Sequence, residues 1–278
     1  MYKHKLCLGL IGSVRMAEDE QIRLFRKVGF EGFFANWGPG ADMKALRKTA
    51  DEEGMIFQSI HAPFTKMDAM WEADERTEAA IDELIACLRD CAEVNVPIMV
   101  AHAFIGFEKH TPTALGVRNF GCVVREAEKL GVKVAFENTE GEEHLAALMQ
   151  AFVDSKNVGF CWDTGHEKCY NYGKDMTKLY GERLLCTHLN DNIGIRSYEG
   201  KIFWHDDLHL LPFDGITDWK SVAQRLDRCG FEGPMTFELT TGSKPGRHEN
   251  DVYARMDPRE YVTHAYIRAC RVAALRAE

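Results

Sequence analysis

Short apolar runs rich in β-branched and aromatic residues recur along the chain, and amphipathic stretches with a helical repeat lie between them. The pattern predicts strands at 5–12, 32–37, 56–62, 97–104, 133–138, 158–163, 184–189 and 234–239. It predicts helices over 17–28, 42–53, 73–94, 114–130, 142–152, 217–229 and 258–276. Gly29, Gly54, Gly131 and Gly230 fall where helices should stop before the next strand. Strands that alternate with helices make parallel sheets, and eight of them make a closed (β/α)8 TIM barrel. A doubly wound open sheet is the competing α/β arrangement, but no Gly-x-Gly-x-x-Gly follows the first strand. One domain over residues 1–278 suits this length. The beat breaks once, at 190–216, where aspartates, histidines and aromatics crowd a long connection of the kind that usually carries function.

Composition narrows the classes. The nine cysteines lack paired short spacing and mostly sit in apolar patterns, as Cys7, Cys87, Cys91, Cys161 and Cys186 do. They read as reduced, buried thiols of a cytoplasmic protein. The first apolar run is too short for a signal peptide, and no run approaches the ~18 residues of a membrane span. A net charge of −9 without a basic run argues against a nucleic-acid partner.

Barrel strands end on one face, so polar residues that close apolar strands become neighbours. Glu137, Asp163, His188 and Glu238 close four of them, in VAFENTEG, GFCWDTGH, LLCTHLND and MTFELT. A carboxylate is costly to bury unless paired or metal-bound, and an ion pair with a neighbouring helix is the ordinary alternative for each. Three carboxylates and one imidazole on one rim suit a divalent metal: manganese, zinc, cobalt or magnesium. His61 and His102 close two more strands on that rim. Asp163 and His166 share one turn if a helix starts at Thr164, and Asp207 and His209 share one side of an extended loop. His205, Asp206 and Asp214 read as solvated loop residues. The loop 240–250, TTGSKPGRHEN, leaves the strand bearing Glu238, and its Lys244 and Arg247 suit an acidic group on a substrate.

The stretches HAPF, FENTEG, WDTGH, THLNDN, DLHLLPFDGITDW and FEL, in this order over 61–239, resemble the xylose isomerase-like TIM barrels. That superfamily includes the sugar phosphate isomerases/epimerases and the endonuclease IV group. The resemblance implies a metal core of Glu137, Asp163, His188 and Glu238, with His166 on the substrate side. It implies isomerisation or epimerisation of a small sugar or sugar phosphate through an enediolate, with Glu137 and Glu238 passing the proton. A dehydratase of a cyclic polyol is chemically close. The endonuclease IV resemblance instead implies three zincs on His61, His102, Glu137, Asp163, His166, His188, Asp207, His209 and Glu238, and action on abasic DNA. Phe64 stands where that resemblance implies tyrosine, and GSVRM and NWGPGAD offer little basic character for DNA. A third reading, a barrel that keeps a metal for structure or sensing, sits poorly with both glutamates present. A carbohydrate partner and a metal-dependent isomerase are therefore the leading expectation, with an oligomer left open.

Overall fold

The computed structural model describes residues 4–276. Eight parallel strands run β1 (Leu6–Gly9), β2 (Gly32–Asn36), β3 (Ile56–His61), β4 (Ile98–His102), β5 (Lys133–Glu137), β6 (Val158–Asp163), β7 (Leu184–His188) and β8 (Met235–Phe237). They pair in chain order, and β1 also pairs with β8. Between β7 and β8 a single bridge, Leu189 to Phe237, closes the barrel. The Thr187 hydroxyl reinforces it by accepting from Thr236 N at 3.0 Å.

The long helices are α1 (Glu18–Val28), α2 (Met43–Glu53), α3 (Thr77–Glu93), α4 (Ala114–Leu130) and α5 (Glu142–Ala151). After them come α6 (Thr164–Cys169), α7 (Met176–Tyr180), α8 (Trp219–Arg228), α9 (Asp251–Ala254) and α10 (Pro258–Ala273). The three short ones, α6, α7 and α9, are absent from the pattern-based reading. None spans the two turns or more that an amphipathic repeat needs to show. Most apolar burial lies between the helices and the outer face of the barrel. Inside it, Ile98, Val100, Ala135, Cys161 and Cys186 form a small separate core. Wide apolar burial outside and a narrow plug inside leave the strand ends free to carry polar groups at the mouth.

Several strands stop one or two residues short of the predicted runs, because the chain leaves the ladder as it turns over the mouth. Glu238 is such a residue, one past β8. Among the described residues, no helix is long and apolar enough to cross a membrane.

Candidate metal centre

Register does the first part of the assembly. In parallel strands, paired residues point to the same side, and His102 pairs with Glu137 while Asp163 pairs with His188. Glu137 becomes the hub. Its Oε2 faces His61 Nε2 and His102 Nε2, each at 3.3 Å. Its Oε1 lies 2.9 Å from His188 Nδ1 and 3.7 Å from His166 Nδ1. On its other side His188 Nδ1 lies 3.0 Å from Glu238 Oε2. One imidazole nitrogen carries at most one hydrogen, so it cannot give each carboxylate a full hydrogen bond. A shared cation would resolve that conflict.

The other residues come from loops. His166 Nε2 and His209 Nε2 approach Asp207 Oδ1 at 3.3 and 2.9 Å. Neither approach has hydrogen-bond geometry, and Asp207 Oδ1 and His166 Nδ1 are buried without a hydrogen-bond partner. Donors that converge without bonding one another are arranged for an ion. All nine candidate residues thus fall into three groups whose donor atoms lie within 4.8 Å: His61–His102–Glu137, Glu137–Asp163–His188–Glu238 and His166–Asp207–His209. Adjacent donors around an octahedral ion at ~2.1 Å are about 3.0 Å apart, and around a tetrahedral zinc about 3.3 Å apart. The separations of 2.9, 3.0 and 3.3 Å fit both.

Outer contacts set tautomers and directions. His61 Nδ1 meets the Ala62 carbonyl at 2.8 Å, and His209 Nδ1 meets that of Glu238 at 3.2 Å, which leaves each Nε2 free to ligate. Phe34 stacks on His188 with centroids 4.6 Å apart, and Phe64 stacks on His102 at 4.5 Å. Asp163 caps α6 by accepting from His166 N at 2.6 Å, so a candidate ligand also starts the helix that presents His166. That helix begins at Thr164, as the Asp163–His166 spacing requires.

Burial alone would discourage charge here, but the groups offset it for one another. It disfavours charged His188, yet Glu137 and Glu238 hold its pKa well above the usual range. Asp163 and Asp207 do the same for His166 against its burial. Burial likewise opposes ionisation of Glu137, but the imidazoles of His188, His102 and His61 hold its carboxyl well below the usual value.

Asp207 and His209 meet, but not through an extended strand. His209 takes a left-handed backbone, φ 47°, and Asp207 precedes it at φ −84°, ψ 86°. A histidine in that region is strained, and the surrounding loop must enforce it. Asp206 clamps this loop from within, which corrects its reading as a solvated residue. It is fully buried and accepts from Arg196 N, Ser197 N and the Arg247 guanidinium at 3.0, 2.9 and 2.5 Å. Asp214 is also engaged, by Tyr253 at 2.5 Å and Arg268 at 2.6 Å. Arg247 pairs with Asp206 and Glu249 and so helps to hold the loop. Lys244 pairs with Asp207 at 3.2 Å and lines a cleft of about 340 Å³ together with Glu238, His209, Phe34 and Asn36.

Three asparagines escaped the reading of residue types. Asn190 donates to Asp163 Oδ2 at 2.7 Å. Asn138 binds the Asp163 backbone on both sides, at 2.8 and 2.9 Å, and donates to Asn171 at 2.9 Å. Gly165 makes room for this frame, since a Cβ there would lie 1.9 Å from Asn190 Oδ1. The signal was in FENTEG and HLND, where an asparagine follows each ligand candidate within two positions.

The family model for the xylose isomerase-like TIM barrel matches residues 22–257. The chain belongs to that family. It is similar to the y4fM protein of Sinorhizobium fredii, with 26% identity over 79% of this chain and 81% of that one. It also resembles a probable endonuclease 4 of Cenarchaeum symbiosum, at 23% identity over 49% of this chain and 50% of that one. Among solved structures, the IOLI protein with a bound zinc atom superposes with TM-score 0.75, at 18% identity over 97% of this chain and 98% of that one. D-psicose 3-epimerase from Clostridium cellulolyticum H10, solved with D-tagatose, gives TM-score 0.74 at 15% identity, over 98% and 100%. At those identities the superpositions establish the fold, and these neighbours of the family include epimerases.

Proposed function

We propose that this protein is a divalent-metal-dependent isomerase or epimerase of a small sugar or sugar derivative. The observation that carries the reading is the pair of carboxylates, Glu137 and Glu238, on one nitrogen of His188 at 2.9 and 3.0 Å, beside an open cleft. Glu137, Asp163, His188 and Glu238 would hold the metal, which supplies polarisation of a substrate carbonyl and its adjacent hydroxyl. Glu238 borders the cleft, so it is the carboxylate placed to take a proton from the carbon next to that carbonyl. Glu137 has no exposed surface and is shared by three imidazoles. It serves as the common ligand, a narrower role than the proton shuttle first expected of it. His166, at the other edge of Glu137, orients a substrate oxygen, and Lys244 closes the cleft above Asp207.

The test is solvent exchange. Protein stripped of metal and reloaded with manganese, cobalt, magnesium or zinc should incorporate deuterium from D2O at the isomerised carbon of at least one ketose or aldose. Glu238→Gln should abolish that exchange. No exchange with any metal across a full set of pentoses, hexoses and their phosphates would defeat the proposal.

A second reading rests on a separate observation, the grouping of nine donors into three metal-sized sets, two of which share Glu137. It is a three-metal phosphodiesterase acting on abasic DNA. The net charge of −9 and the engagement of Lys244 and Arg247 by carboxylates oppose it. Three bound metals per chain with zinc-dependent incision of an abasic duplex would reverse the ranking.

A further inference from the structure

A second cleft, of about 490 Å³, opens beside the metal centre, and the isomerase reading makes no use of it. Four mouth segments build it, the start of α5 among them, and its aromatic wall comes from three: the loop after β4, the one between α6 and α7, and the long one after β7. They contribute Phe107, Tyr170 and Tyr172, and Tyr198 and Phe203. Four of these rings form an unbroken series that starts at a candidate ligand. His166 lies 5.0 Å from Tyr170, Tyr170 lies 6.2 Å from Phe107, Phe107 lies 5.2 Å from Phe203, and Phe203 lies 3.9 Å from Tyr198.

The outer members are held out at some cost. Tyr172 and Tyr198 are 65% and 54% exposed, and both sit on left-handed backbone, with φ of 54° and 48°. A β-carbon strains that conformation, and an exposed ring forgoes the burial it would gain by folding inward. Each has a backbone that aims its ring at solvent beside the centre. The charged lining does not ask for an anion, since two lysines face three glutamates and Lys174 is already paired with Glu142 at 2.9 Å. Neutral ligands with a flat or C–H-rich face are what aromatic walls of this kind bind.

We infer that this cleft is a subsite for a neutral ring attached to the sugar that reaches the metal, so that the preferred substrate is a ring-extended sugar rather than a free monosaccharide. The inference rests on the sugar reading above. The attached ring is either an aryl group or a second sugar, joined at an oxygen remote from the carbonyl so that the reacting end stays open, and the two present the same apolar face to the wall.

Calorimetry on the metal-loaded protein tests it. The ligands are a set of free monosaccharides, their benzyl ethers at an oxygen remote from the carbonyl, and the matching reducing disaccharides. An extended form should bind roughly tenfold or more tightly than its monosaccharide. The advantage should fall to about one in Tyr198→Ala/Phe203→Ala and shrink in Tyr172→Ala, which alters a different loop; unchanged melting temperatures would exclude unfolding. Preference for the aryl form or for the disaccharide tells which ring is meant. Equal binding of free and extended sugars, or an advantage that survives both variants, overturns the subsite and leaves the isomerase reading standing. Binding of no sugar at all overturns both. Self-association that Tyr198→Ala/Phe203→Ala abolishes, without any ring preference, assigns the aromatics to a protein interface and overturns the subsite.

Discussion

Two sides of the centre are built by different means. On one side His61, His102, Glu137 and His188 close β-strands, and the ladder of the barrel fixes their spacing. On the other, Asp207 and His209 stand on a long loop, and His166 on a six-residue helix. The strand side is stabilised by the whole barrel. The loop side depends on a few buried polar groups. Asp206 clamps Ser197 and Arg247, and Asp191 accepts from Phe213 N, Thr217 N and the Trp219 indole at 2.9, 3.0 and 3.0 Å. The lesson is that equal proximity to an ion need not mean equal rigidity. A ladder with many bonds resists a single change, whereas a carboxylate with several donors is a single point of failure.

The comparison breaks hardest at Glu137, which both sides share. Glu137→Ala should lower metal affinity by about 1,000-fold or more, beyond the ~10–100-fold typical of outer contacts. Metal analysis after dialysis against a weak chelator reads it, and retained metal would show that the hub is dispensable. Asp206→Ala should act on the loop side only. It leaves Arg247 and two backbone amides without their acceptor, at a cost of about 3 kcal/mol. Hydrogen exchange should speed over 196–209 while β3, β4 and β5 stay protected; uniform loss of protection would erase the distinction drawn here.

Acid should act on the helical layer through His144 of α5. This residue is buried against Phe104, with ring centroids 4.1 Å apart, and both of its nitrogens lack a hydrogen-bond partner. Burial, assisted by His110, pushes its pKa down from 6.5 to about 4. The unfolded chain therefore takes the proton first, and stability should fall as pH drops from 6.5 towards 4 and gain nothing from further protonation below that. The loss attributable to this group is of order 3 kcal/mol. Urea titrations of His144→Phe should show a shallower decline across the same window, and an identical slope would clear His144 of the effect. The smallest effect belongs to Asn190→Ala. Removing the donor to Asp163 Oδ2 should cost roughly tenfold in metal affinity with little change in melting temperature. A large stability loss would make Asn190 part of the fold rather than of the centre.

The fold was legible because it is repetitive. Eight β-rich runs and the glycines after α1, α2 and α4 follow from local patterning, and the described chain realises all eight strands. The strand-borne residues were legible for the same reason: Glu137, Asp163 and His188 end runs whose neighbours are fully buried, so their polarity stands out. Asp206 was misread because nothing in WHDDLHL separates a buried aspartate from its exposed neighbours. The difference lies in Arg247 and Ser197, which arrive from 41 and 9 positions away. The partners of Arg247 were hidden in the same way, since a cation looks free until its neighbours are known.

The sequence by itself determined the alternation of strand and helix, the barrel that follows, and the residue types capable of holding a metal at its mouth. Those properties depend on periodicity and side-chain chemistry, which are local. Only the tertiary structure decided that one carboxylate, Glu137, is shared by three imidazoles, that His209 reaches Asp207 through a left-handed turn, and that five aromatic rings gather into one cleft. Each is a matter of a few ångströms between residues distant in the chain. Distances of that kind are set by strand register and by the long-range hydrogen bonds of the loops, which no run of neighbouring residues encodes.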